Sequence, residues 1–419
     1  MNCVLQCVAA IWAVLPLCSA LTAATIEVPS HYRTIQDAVD AAMDGDLILV
    51  APGVYEEDVF VNDKSITLMG SDGAEKASIV GTGKATAVRL SPAVDDEVIF
   101  SGFTVSGASP LYACVTITDD GDALVSKCCA IGDPADPTNG FRSFSGRGTF
   151  RECFATDCRS GFLIQNTDDT VVEDSLATNC FRGYKAEFSA AEFVNVAATD
   201  CSEWGILIEL SADDTEIRGG VLTNCGIDAW GDDLVIEDLQ VTDANEHSRI
   251  RSDDLRLANS TFVNSQLDVR GDRTEVIDCD FIDCTPIVAL VGEDVLVSGC
   301  TFTSMKSGPC TLDSAAAGTT LIDCVFENTS GPRVLEVSND GVIIERCVFR
   351  NNTISHPFLL SAAIRVDGLD DCTISDCVFE GNTSENEIAA GCMVINSSNV
   401  SIERCRFLDN QAQDGAAAI

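Results

Sequence analysis

The residues with chemical potential lie between positions 185 and 270. Five successive segments there share one alternation: Lys185-Ala-Glu187, Leu207-Ile-Glu209, Asp228-Ala-Trp230, Arg249-Ile-Arg251 and Asp268-Val-Arg270. In a strand, successive side chains point to opposite faces. Ile206, Ile208, Ile227, Ala229, Ile250, Leu267 and Val269 are therefore expected inside, and the residues between them outside. The outer strip then carries charges of both signs and one indole. Glu187, Glu209 and Asp228 offer the oxygen ligands that Ca2+ takes. Arg249, Arg251 and Lys185 supply a base or a carboxylate clamp. Trp230 offers a face for a sugar ring, with Asp268 and Arg270 as polar partners. Such a strip suits an acidic polysaccharide. Its blander alternative is an ordinary salt-bridged sheet face. From Ile287 onward, Val288 and Leu290 are expected to make the strip apolar.

The elements that must position these residues are set by a phrase written six times. It runs Val276-Ile-Asp-Cys279-Asp-Phe281, Val297-Ser-Gly-Cys300-Thr-Phe302, Leu321-Ile-Asp-Cys324-Val-Phe326, Ile344-Glu-Arg-Cys347-Val-Phe349, Ile374-Ser-Asp-Cys377-Val-Phe379 and Ile402-Glu-Arg-Cys405-Arg-Phe407. Its cysteines lie 21, 24, 23, 30 and 28 residues apart. A 20–30-residue period with fixed apolar positions marks a solenoid, whose units are too short to bury their own faces and must stack. The cysteine column continues backwards through Ser260, Leu239, Gly220, Val196, Ser175, Cys153, Cys128 and Phe103. A second column, five residues later, runs from Cys158 through Cys180, Cys201 and Cys225 to Asn352, Asn382 and Asn410. The late asparagines should form an amide ladder. Turn signals, often acidic pairs such as Asp213-Asp214, Asp232-Asp233 and Asp253-Asp254, separate the units. Three strands per unit give an all-β, single-stranded parallel β-helix. About 14–15 coils at about 4.8 Å each make a stack of about 70 Å. The longest insertion, Ile131–Gly140, should project from it.

The start of the chain differs. Thr34 and Asp37 have capping-box-like spacing, and Ile35, Ala38, Val39 and Ala42 form one helical stripe. Gly45 is placed to end that helix. Strands are expected at Leu47–Ala51, Val59–Val61 and Ser65–Met69. Residues 25–70 thus read as a cap with the first strands, and 71–419 as the repeat domain. The phrases Thr34-Ile-Gln-Asp-Ala and Pro52-Gly-Val-Tyr-Glu-Glu57 resemble the N-terminal portion of right-handed parallel β-helix proteins of the pectin lyase-like superfamily. The later Ile-x-x-Cys-x-Phe-x-x-Asn units resemble that superfamily's repeat. The resemblance implies a right-handed helix. It also implies, by position on the fold alone, a polysaccharide groove on the third-strand sheet, as in lyases that use an Arg or Lys base. Motifs of other members are incomplete here. Asn166-Thr-Asp-Asp169 resembles part of a polygalacturonase signature, but no Gly-His-Gly follows it. The catalytic phrases of pectinesterases are absent. Two functions remain: a non-catalytic surface or binding scaffold for carbohydrate, and a Ca2+-assisted polysaccharide lyase.

Bulk composition narrows the partners. The chain has 419 residues and 25 Lys plus Arg against 66 Asp plus Glu, a formal charge of −41. Phosphate contacts need a basic surface, so nucleic acid is excluded as a partner, as is an anionic membrane. Residues 4–17 are almost wholly apolar and small residues follow them, so residues 1–24 read as a secretory signal peptide and the mature chain as exported. No other apolar run reaches the length of a membrane span. Inter-coil disulfides and a stack of small buried hydrophobes both account for the cysteine columns. Gln413-Asp-Gly-Ala-Ala-Ala-Ile419 reads as the start of a third strand without a cap, so either the chain is truncated there or a further chain covers the end.

Overall fold

The computed structural model describes residues 23–412 apart from 95, 120, 168, 210, 285–287, 306–309, 313–317, 332–333, 338–339, 356–361 and 385–389. Almost all of the expected leader, and the last partial strand at 413–419, lie outside the described residues.

Each repeat runs as three short strands joined by corners. Around Cys279 the path is Glu275–Ile277, Asp280–Ile282, then Val288–Val291. Asp278 and Asp283 make the first two corners, with φ of 52° and 53°. Asp and Asn tolerate this left-handed conformation because their short polar side chains can bond the local backbone. The position before each later Cys of the phrase repeats it: Gly299, Asp323, Arg346, Asp376 and Arg404 all have positive φ.

All strand pairing around the phrase is parallel and in step. Phe281 pairs with Phe302, Phe302 with Phe326, Phe326 with Phe349, Phe349 with Phe379 and Phe379 with Phe407. Their rings stack with centroids 4.6–5.0 Å apart. The same register runs back to Thr104 and bears out the extended cysteine column. The asparagine ladder is also present: Asn352 Nδ2 donates to Asn382 Oδ1 at 2.9 Å, and Asn382 Nδ2 to Asn410 Oδ1 at 2.9 Å. Third strands form a 15-stranded sheet, from Val59–Asn62 to Cys392–Ile395. The other two strands of most coils form a 30-stranded sheet, continuous where Ala191–Thr199, Glu216–Thr223 and Val235–Thr242 pass the corner unbroken. A 4-stranded sheet lies near the C-terminal end. One apolar core runs through the stack from Val28 to Cys392.

The one helix among the described residues, Ile35–Ala41, covers the first coil. Thr34 caps it by accepting from the Asp37 N–H. Glu57, the last residue of the Pro-Gly-Val-Tyr-Glu-Glu phrase, accepts from the Ile35 and Gln36 N–H groups at 2.9 Å each. The helix ends at Ala41 with Ala42 extended, and Gly45 (φ 86°) turns the chain three residues later. Lys64, rather than Gly45, satisfies the helix end: its ammonium donates to the carbonyls of Val39, Asp40 and Ala42 at 2.7–2.9 Å. A cation there also suits the helix dipole.

The acidic turn pairs hold the backbone. Asp213 accepts from the Asp232 N–H at 2.9 Å, Asp253 from Asp272 at 2.9 Å, and Asp272 from Glu293 at 2.8 Å. The second acids Asp214, Asp233 and Asp254 occupy left-handed corners.

Candidate functional site

Sheet pairing brings the expected site residues onto one face. Lys185 pairs with Leu207, Leu207 with Asp228, Asp228 with Arg249 and Arg249 with Asp268. Beside this file, Glu187 pairs with Glu209, and Trp230 with Arg251, which pairs with Arg270. The expected inward residues, Ile206, Ile208, Ile227, Ala229, Ile250, Leu267 and Val269, are all buried. The downstream expectation slips by one residue. Val288 and Leu290 align with the inward Leu267 and Val269, and Leu290 is core. Val291 continues the outer file of Arg270 instead. A one-residue shift exchanges the faces of a whole strand.

The strip's charges are spent on one another. The Lys185 ammonium bonds Glu187 and lies 3.1 Å from Glu209 Oε2. Asp228 bonds the Arg249 guanidinium and accepts from Trp230 Nε1 at 2.7 Å. Asp268 accepts from Arg270 Nε at 2.9 Å and lies 3.9 Å from Arg251. Arg249 sits 5.0 Å over the Trp204 ring and Arg251 4.3 Å over Trp230, both within cation–π range. Lys185 and Asp228 are only 8% and 5% exposed. Glu187, Glu209 and Asp228 therefore do not converge: two close on an ammonium and the third on a guanidinium and an indole. This set does not fit Ca2+. Among the described residues, no three His, Cys, Asp or Glu side chains gather as a metal-ligand group.

Unspent positive charge lies upstream on the same sheet. A pocket of about 310 Å3 is lined by Arg142, Arg159, Arg182 and Lys185 around Gln165. Glu187 is the one carboxylate in its lining. Glu187 and Glu209 hold Lys185 and Glu203 holds Arg182, so Arg142 and Arg159 are the cations of this lining without a carboxylate ion pair among the described residues, on a chain whose net charge is −41. Arg142 Nε donates to Gln165 Oε1 at 3.0 Å, and its guanidinium lies 4.5 Å over Phe144. Burial pulls the Arg142 guanidinium below its ordinary value, against the opposing pull of Glu187. Arg182 bonds Glu203. Arg159 has no ion-pair partner among the described residues. Burial acts to raise the Glu187 carboxyl, but hydrogen bonds from Lys185 and Gln165 hold it below the usual range.

Arg142, Gln165, Arg159 and Arg182 were not among the expected site residues. Arg142 and Gln165 carry the same outward alternation as Lys185 and Glu187, pairing through Leu163 and Phe144. The insertion before Asn139 breaks the spacing that would have extended the strip to them. Arg159 stands at a corner, where alternation says nothing, and Arg182 opens the strand Arg182–Glu187 in phase with the buried Tyr184 and Ala186, so alternation places it on the inward set. Asn166 and Asp169 of the Asn-Thr-Asp-Asp segment hold left-handed φ of 51° and 67° and shape a bend.

Parallel strands stacked coil on coil around one core, with outward chemistry on a single sheet, define a right-handed parallel β-helix. The chain belongs to the right-handed β-helix family: the model described as "Right handed beta helix region" matches residues 93–241 and 225–407. No curated protein matches it. Among solved structures it is similar to the A-module of mannuronan C-5 epimerase AlgE6 from Azotobacter vinelandii, at 14% identity over 91% of this chain and 93% of that one, with a TM-score of 0.35. It is also similar to pectin methylesterase PemA from Erwinia chrysanthemi, at 16% identity over 60% and 81%, TM-score 0.32. A third likeness is to the Dettilon tailspike protein, at 13% identity over 88% and 68%, TM-score 0.41. No helix among the described residues is long and apolar enough to cross a membrane.

Proposed function

We propose that this chain is an exported, carbohydrate-interacting β-helix that binds an acidic polysaccharide along its 15-stranded sheet and acts as a non-catalytic scaffold. The carrying observation is the pocket of Arg142, Arg159, Arg182 and Lys185. A charge of −41 repels a polyanion from most of the surface, so a local cationic concavity selects where it docks. Downstream on the same face, the half-exposed Trp230 offers a ring for stacking. The strip's ion pairs favour a scaffold over a lyase, since Lys185, Arg249 and Arg251 are each engaged with carboxylates.

Calorimetric titration with polygalacturonate, alginate and a neutral glucan tests this reading. Binding to the charged glycans alone supports it, and equal or absent binding overturns it. Absorbance from unsaturated uronate ends, followed with and without Ca2+, would replace the scaffold with a lyase.

A further inference from the structure

Two polar side chains of the cationic pocket are buried without being satisfied. Ser160 is 2% exposed and Asn139 9%, and both line the cavity of about 310 Å3. The Ser160 hydroxyl has no hydrogen-bond partner among the described residues. Asn139 Nδ2 reaches only the Tyr112 carbonyl, at 3.5 Å, and Asn139 Oδ1 has no partner there. Neither oxygen is sealed inside the protein: the fully buried, unpartnered side-chain atoms of the described residues lie elsewhere, at Arg89, Arg249, Gln266, Thr319 and Arg365.

Register explains the placement. Phe141 pairs with Phe162, which sets Asn139 opposite Ser160, and Ser160 pairs with Arg182. Asn139, Ser160 and Arg182 each open a third strand, on successive coils about 4.8 Å apart. In the coil before them, Ala113 opens its strand and pairs with Asn139. An alanine there needs no partner, whereas a buried serine or asparagine with an unbonded polar atom carries a desolvation cost. The chain bears that cost beside Arg159, whose guanidinium no described carboxylate holds, and Arg142, which spends its Nε on Gln165.

The open groups suit one kind of ligand. A hydroxyl next to a guanidinium can donate to two oxygens of one anionic group, and such charge-assisted bonds are the strong ones. Asn139 Oδ1 can only accept. A bare anion without hydrogen leaves it unsatisfied, and a sugar hydroxyl does not. A site built on such bonds rejects a ligand that cannot make them, because its buried groups then stay unpaired.

We propose that Arg159, Ser160 and Asn139 form a sugar-acid subsite. Arg159 and the Ser160 hydroxyl donate to one carboxylate or sulfate-ester group, and Asn139 Oδ1 accepts from a hydroxyl of the same glycan. The subsite rests on the docking reading above and adds to it the neutral groups that determine specificity. Charge on Arg142 and Arg159 draws the polyanion in, and Ser160 and Asn139 select the unit that stays.

The test is calorimetric titration of polygalacturonate and of dextran sulfate into the parent chain, Ser160→Ala, Asn139→Ala and Arg142→Glu/Arg159→Glu, each at two ionic strengths. Alanine already opens a strand of this file at Ala113, so both alanine variants are expected to fold, and unfolding midpoints check it; either folded variant decides. The expected affinity loss is about tenfold or more for Ser160→Ala and about threefold or more for Asn139→Ala. Both should keep the parent's salt dependence, because neither removes a charge, whereas the charged double variant flattens it. Loss seen with polygalacturonate assigns a carboxylate to the subsite, and loss seen with dextran sulfate assigns a sulfate ester. Parental affinity in a folded alanine variant, alongside lost binding in the charged double variant, would overturn the subsite and leave the docking reading standing. No binding of either polyanion by the parent would overturn both.

Discussion

Lys185 Nζ lies 3.1 Å from Glu209 Oε2, although the two residues belong to different coils. The contact ties adjacent rungs of the 15-stranded sheet together and leaves the outer strip largely self-neutralised. Free positive charge is displaced upstream, to Arg142 and Arg159. Binding and inter-coil bracing are therefore expected to respond to different substitutions.

Arg159→Glu removes the pocket cation that no carboxylate holds and inserts a negative charge. Affinity for an acidic glycan is expected to fall at least about tenfold, roughly 1.4 kcal/mol, with a shallower salt dependence. Glu209 lies outside the pocket lining and Lys185 keeps its bond to Glu187, so Glu209→Gln is expected to change affinity little. Calorimetry at two ionic strengths checks both.

Trp230→Ala deletes the half-exposed indole that Arg251 covers and Asp228 holds. The loss of an aromatic platform is expected to weaken glycan binding by about 1 kcal/mol. Because the ring is exposed on one side, the unfolding midpoint should move less than for a core substitution. Parallel binding and denaturant curves separate the two effects.

Phe326→Ala cuts the ring stack between Phe302 and Phe349, where centroids are 4.6 and 4.8 Å apart. A buried Phe to Ala change costs about 3–5 kcal/mol. In a stack with nearest-neighbour coupling, the C-terminal coils should open before the N-terminal ones. Hydrogen exchange is expected to show faster exchange beginning at residues flanking 326.

Asp46 accepts from the Ala24 and Met43 N–H groups at 2.7 and 2.9 Å. Those two backbone bonds, Met43 first, lower its carboxyl below the ordinary value, with Lys64 adding to the effect. A carboxyl depressed in the folded state contributes stability above its unfolded value and loses it as pH falls through the folded one. The cap should therefore loosen below about pH 4. Asp46→Asn should destabilise the chain by about 1–3 kcal/mol at neutral pH and flatten its acid transition, as thermal melts across pH would show.

The fold was legible because every coil repeats the same inward set. Phe281 to Phe407 and Cys279 to Cys405 could be aligned by eye, and the column survived decay to Ser260, Leu239 and Gly220 because small or apolar residues still filled it. Alternation alone could not place Val288 and Leu290, since Ile287, Val288 and Leu290 are all apolar and offer two registers. It also placed Lys185 through Arg270 on one face without revealing that their charges cancel, because pairing depends on side-chain reach across coils. Arg159 stayed hidden because it stands at a corner, Arg182 because it opens its strand in phase with the inward Tyr184 and Ala186, and Glu57 and Lys64 because their helix-capping partners lie more than twenty residues away in sequence.

The central claim, that a cationic pocket on an acidic β-helix takes up an anionic glycan, is tested most directly by titrating polygalacturonate into the parent chain and Arg142→Glu/Arg159→Glu. Saturable, salt-sensitive binding by the parent that the double variant loses while remaining folded is the expected result. Equal affinity of the two proteins, or no binding by the parent to polygalacturonate and alginate at low salt, would contradict the account.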